Sequence, residues 1–176
     1  MNQKRSLTTR DMVYIGILAA MCAVATTIKI PFGVGAMIHL GTAVLFTVAL
    51  VFGGAYAGLS AAIGSALFDL LMGFSPYTLW SFFIKGVAGL MAGMVAKGVW
   101  PETGAGSQPD GKWLSKAILG CVMAAAWTLG GYTIAWWQVT GSLAVAAKNA
   151  PSSLLTSGVG LVIALLLSPK LRGLVR

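Results

Sequence analysis

The chain alternates long apolar runs with short polar or Gly-Pro breaks, and the runs have the length of membrane-crossing helices. About 20 mostly apolar residues cross a bilayer as a helix. On that rule six spans emerge, at 11–28, 38–52, 55–72, 79–97, 114–137 and 151–168. The first ends near Lys29 and Pro31. A stretch of Pro31-Phe32-Gly33-Val34-Gly35 follows, too interrupted for helix and too apolar for an ordinary solvent loop. No charge occurs from position 40 to 68, which is longer than one span, and Gly53-Gly54 is the natural turn that divides it. The second span is therefore short. Residues 98–113 contain the one hydrophilic loop, flexible by composition. The pattern predicts an all-α integral membrane protein, a six-transmembrane-helix bundle forming one membrane domain over 1–176.

Composition agrees with the pattern: of 176 residues, 57% are hydrophobic and 9% charged, against about 25% charged in soluble domains. The 23 glycines suit helices whose backbones approach closely. The net charge of +8 would suggest a nucleic-acid partner if it were not distributed as it is. With six spans, one side carries Lys4, Arg5, Arg10, Lys97, Lys112, Lys116, Lys170, Arg172 and Arg176, and the other only Lys29 and Lys148. The positive-inside bias then puts both termini in the cytoplasm, with the lipid bilayer and no nucleic acid as partner. One long tilted helix over 40–72 would leave the basic C-terminus outside, which the charges oppose. The first 25 residues resemble a secretory signal, with Ala23-Val24-Ala25 as a cleavage-like site. The uncharged run continues to Ile28, long enough to span, so it is read as the first membrane helix.

Several chemistries are missing. There is no phosphate-binding G-x-x-x-x-G-K-S/T loop, so the chain is not expected to hydrolyse ATP alone. Neither H-E-x-x-H nor G-x-S-x-G occurs, and Cys22 and Cys121 lie inside apolar runs without metal-ligand spacing. No catalytic residue, metal or cofactor is expected; binding is the better reading.

The polar residues inside the runs carry that reading. Asp69 precedes the break at Gly73-Phe74-Ser75-Pro76 and Lys85 follows it, so a helical hairpin brings them to a similar depth. A charge at mid-membrane costs about 2.5–3.5 kcal/mol on insertion scales, so such residues are paired or functional. Two readings are open: a structural ion pair joining Asp69 to Lys85, or a ligand donor at Lys85 held by Asp69. His39 is either a helix-end residue or a ligand contact. Aromatic residues gather toward the outer level, among them Phe32, Trp80, Trp127, Tyr132 and Trp137. An interfacial belt accounts for Trp137, for Trp100 on the opposite side and for Trp80. Trp127 lies deeper, where ring stacking or core packing explains it better. Asn149 and Ser152 offer neutral hydrogen-bonding groups, with Asn149 before Pro151 either a helix cap or a ligand contact. Gly16, Ala19 and Ala23 share the spacing of Gly86, Gly89 and Gly93, so two helices each present a small-residue face, toward this protein's own helices or toward a membrane partner.

Three stretches together resemble a known family: HLGTAVLF at 39–46, GGAYAGLSAAIGSALFDLLMG at 53–73 and FFIKGVAGLMAG at 82–93. They are similar to the substrate-binding (S) components of energy-coupling factor (ECF) vitamin transporters, of the riboflavin-type or a related branch. The resemblance implies a small six-helix protein that captures a vitamin or vitamin precursor outside the cell and works with a transmembrane coupling protein and two ATPase subunits. By position it implies a partner-binding face at Gly16, Ala19, Ala20 and Ala23, and a loop over the site at 32–37. The ligand contacts it implies include Phe32, Trp80, Lys85, Trp127, Tyr132, Asn149 and Ser152, with His39 added from the reading above. Relatives handle flavins, pyridoxine-like rings, pyrimidine precursors, pantothenate and cobalamin. The acids that some relatives use for cationic vitamins are missing, which disfavours thiamine. Two other functions compete: an assembly subunit with an empty cavity, and a small membrane enzyme using Asp69 and His39.

Overall fold

A computed structural model describes residues 7–100 and 111–174. The element order is α1 (Thr9–Thr27), β1 (Lys29–Phe32), β2 (Ala36–His39), α2 (Gly41–Phe52), α3 (Gly54–Leu71), a 3-10 turn (Ser75–Tyr77), α4 (Thr78–Ala96), α5 (Trp113–Thr140) and α6 (Leu143–Leu174). Among the described residues five helical segments are long and apolar enough to cross a membrane, and α2 is a shorter apolar helix.

Helix α1 starts in a capping box. Thr8 Oγ1 accepts from the Asp11 amide while the Asp11 carboxylate accepts from the Thr8 amide at 3.0 Å. The helix ends at Ile28, and the chain enters an antiparallel hairpin in which Lys29 pairs with His39 and Phe32 with Ala36. Gly33 (φ 64°) and Gly35 (φ 68°) take left-handed conformations at the turn, which explains the Gly-x-Gly spacing. The expected span over 38–52 is corrected here: Ile38 and His39 belong to β2, and the helix starts at Gly41.

Ten of the twelve residues of α2 are buried. At 1.5 Å per residue the helix is about 18 Å long, less than the roughly 30 Å hydrocarbon thickness. It is an internal strut, and its last carbonyls are capped from other helices. Arg172 Nη2 donates to Leu50 O at 2.6 Å, and Lys97 Nζ donates to Val51 O. Gly53 (φ 87°) turns the chain directly into α3, whose first amides donate to the carbonyls of Gly98 (2.9 Å) and Val99 (2.7 Å).

The glycine face of α4 packs inside the protein. A Cβ at Gly89 would lie 2.5 Å from Ala57 O, and one at Gly93 would collide with the backbone of Gly54. Helix α1 approaches α3 similarly, with Ala19 O 2.5 Å from a Cβ placed on Gly64. Ala19 is thus buried, while Gly16 and Ala20 remain exposed and Ala23 is half-buried.

Two further boundaries differ from the sequence expectation. Helix α5 continues to Thr140 and ends at Gly141 in the left-handed conformation. Helix α6 begins at Leu143 rather than 151, because Ser142 Oγ accepts from the Val145 amide and supplies the cap. Pro151 then lies inside the helix, and Asn149 is no cap. Most of the expected loop over 98–113 lies outside the described residues.

Candidate binding site

The hairpin and one end of the helices enclose a cavity of about 50 Å³. Four helices each contribute one face at helical spacing: Ser65, Phe68 and Asp69 from α3, Ser81 and Lys85 from α4, Thr128, Tyr132 and Trp136 from α5, and Ser152, Ser153 and Thr156 from α6. Gly35, Ala36, Met37 and His39 of the hairpin form the roof, and Thr26, Phe74 and Tyr77 complete the wall.

Asp69 (5% exposed) and Lys85 (4% exposed) both line this space. Among the described residues no salt bridge joins them, which corrects the expected structural ion pair. Lys85 Nζ instead donates to Thr42 Oγ1 at 3.0 Å and lies 5.4 Å from the centroid of the Tyr132 ring, a cation–π distance. Among the described residues nothing hydrogen-bonds the buried Oδ2 of Asp69. The Ser81 and Tyr132 hydroxyls bond each other at 2.9 Å. Beside them, Lys29 Nζ sits 4.7 and 4.8 Å from the ring centroids of Phe68 and Phe74.

His39 Nδ1 accepts from the Gly41 amide at 3.1 Å, which requires that nitrogen to be unprotonated. Burial, reinforced by the charges of Lys85 and Lys29, pushes its pKa down to about 3. His39 therefore enters the site as a neutral imidazole.

Side chains from α5 and α6 latch the roof. Trp136 Nε1 donates to Gly35 O at 3.1 Å, Asn149 Nδ2 to Val34 O at 2.6 Å and Thr156 Oγ1 to Met37 O at 3.4 Å. The tip fits so closely that a Cβ on Gly35 would lie 2.5 Å from the Tyr77 hydroxyl, and one on Gly33 would strike the Asn149 carboxamide.

Of the residues singled out from sequence, His39, Lys85, Tyr132 and Ser152 line the cavity. Phe32 lies on β1 and Trp80 on α4, neither lining it. Trp127 is 43% exposed and donates from Nε1 to Ile84 O at 3.1 Å, so it ties α5 to α4. Asn149 stands behind the roof as a latch. The sequence reading missed Ser65 and Ser81, each four residues before a membrane charge (Asp69, Lys85), a spacing that puts them on the same helix face. It also missed Thr42, for which no local signal exists.

A family model described as "ECF-type riboflavin transporter, S component" matches residues 6–173. A solved chain titled "Structure and mechanism of the S component of a bacterial ECF transporter" superposes with a TM-score of 0.66 at 16% identity, covering 95% of this chain and 98% of that one. At that identity the likeness is one of fold. Comparison with curated proteins returns no match.

Proposed function

The chain belongs to the ECF-type riboflavin transporter S component family, and from that premise we propose that it is the high-affinity substrate-capture subunit of an ATP-driven importer for a vitamin or vitamin precursor. The observation that carries this reading is the buried polar cavity roofed by the β1–β2 hairpin, with Asp69 and Lys85 facing a space between helices. The ligand contacts are His39, Lys85, Tyr132 and Ser152. Phe32, Trp80 and Trp127 have their support from the family resemblance rather than from cavity geometry.

The cavity is contracted. A water needs roughly 10–15 Å³ of such space, so about 50 Å³ admits a few waters. Pockets for small organic ligands run from about 300 Å³. Close backbone contacts between α3 and α4 leave little give on that side, whereas three side-chain hydrogen bonds hold the roof. Capture therefore proceeds by lifting the hairpin.

The distribution of basic residues supports six helical passes, with the short α2 completing its pass while enclosed by the longer helices, both termini and the polar loop in the cytoplasm, and the cavity toward the outside. A transmembrane coupling protein and two ATPase subunits supply the energy, and the exposed Gly16–Ala20 side of α1 meets the coupling protein. Native mass spectrometry of the detergent-purified chain tests the capture reading through a retained small molecule. A vitamin-auxotrophic host should then grow on that compound only when this chain and its partners are present. Failure to rescue with any vitamin, in a correctly assembled complex, overturns the reading.

A further inference from the structure

Asp69 is a buried acid whose hydrogen-bonding capacity the protein leaves incomplete. It is 5% exposed, lines the cavity and has no hydrogen-bond partner for Oδ2 among the described residues, although a buried polar group without a hydrogen bond is costly. Across the same cavity Lys85 has three N–H donors, and one bond, to Thr42 Oγ1, is made. An acceptor-only group and a donor-only group thus face one space without bonding each other. Resting on the capture reading, we propose that the ligand bridges them: it gives an N–H or O–H to Asp69 and takes a hydrogen bond from Lys85.

Charge narrows the class. Among the described residues the charged side chains lining the cavity are Asp69 and Lys85, and their formal charges cancel. A cation would face the Lys85 ammonium, with Lys29 held close by over Phe68 and Phe74. An anion would face the Asp69 carboxylate. The ligand carries no net charge and has a donor and an acceptor on one edge. Its body is an aromatic ring, since Phe68, Phe74, Tyr77, Tyr132 and Trp136 supply the apolar wall. A nitrogen heterocycle with an amino, imide or hydroxyl donor beside a ring or carbonyl acceptor meets every requirement.

The test uses matched probe pairs on the full chain in nanodiscs, followed by isothermal titration. One pair is 4-amino-5-hydroxymethyl-2-methylpyrimidine and its 4-dimethylamino analogue; the other is riboflavin and its N3-methyl derivative. Thiamine serves as the cation. A hydrogen bond to a charged group corresponds to about 10- to 100-fold in affinity. The donor-bearing member of whichever pair binds should exceed its methylated analogue by that factor in the wild-type protein. Asp69→Asn should erase the difference, and thiamine should bind more weakly than either parent compound. Equal affinities within a pair that binds, or an unchanged preference in Asp69→Asn, overturns the bridging assignment and leaves the capture reading standing. Absence of binding by every probe while a vitamin still rescues the auxotroph overturns the bridging assignment, and absence of binding together with failed rescue overturns both. The wild-type comparison within pairs keeps the test decisive should Asp69→Asn fail to fold.

Discussion

Asn149 of α6 donates from Nδ2 to the carbonyl of Val34 at 2.6 Å, fastening the tip of the hairpin to a helix 115 positions away. The carboxamide is 1% exposed, and a Cβ on Gly33 would collide with its oxygen. Of the three side chains that latch the roof, this amide is the one pressed against the turn at Gly33, where a Cβ has no room.

That contact predicts an effect on opening rather than on the cavity itself. Asn149→Ala should remove one hydrogen bond, about 1 kcal/mol net, and raise the opening rate of the hairpin. Amide hydrogen exchange at residues 33–38 should speed up several-fold, and bound ligand should leave faster. Unchanged exchange there would show that the roof is held elsewhere.

The glycine contacts between α3 and α4 predict a graded stability series. Gly89→Ala places a Cβ 2.5 Å from Ala57 O, and overpacking of this kind costs about 1–3 kcal/mol. Gly130 on α5 has nothing within 4 Å of a built Cβ, so Gly130→Ala should be neutral or stabilising. Thermal melts of the two variants in one detergent should separate them, with Gly89→Ala several degrees lower.

Capture and assembly should separate genetically. Lys85→Met removes a cavity donor whose protein partner is Thr42; it should cut ligand affinity at least about tenfold while leaving co-purification with the coupling partner intact. Ala20 is exposed on α1, so Ala20→Leu should do the reverse. Full transport by Lys85→Met together with lost transport by Ala20→Leu would favour an assembly subunit with an empty cavity.

The chain has one histidine, which makes its linkage readable. In the folded protein His39 stays neutral down to about pH 3, whereas its ordinary pKa is 6.5. Between those values the unfolded chain binds one more proton, so stability rises with pH across that window. The contribution is complete above about pH 6.5 and is lost as pH falls toward 3. Melting temperatures of the wild type and His39→Asn, compared at pH 7.5 and 4.5, should show a smaller acid-induced drop in the variant. Ligand affinity should show no step near pH 6.5.

Local, additive properties were legible in the chain itself. The cost of each polar residue in lipid marks out apolar segments one residue at a time, so the helical class and most helix centres follow from hydropathy. Glycine spacing on one face likewise marks α4 as a helix for close packing. At Pro31–Gly35 the composition ruled out helix, but pairing Lys29 with His39 and Ile30 with Ile38 depends on two strands meeting, which no single window contains. The roles of the charges were decided in three dimensions. Arg172 and Lys97, countable in the sequence as orientation signals, also cap the end of α2, more than 40 and 120 positions away respectively for Lys97 and Arg172. Lys85 bonds Thr42 across 43 positions and leaves Asp69 facing the cavity. Opposite charges at similar depth permit a pair, but only the packing of α2 between the other helices determines which oxygen reaches the ammonium first.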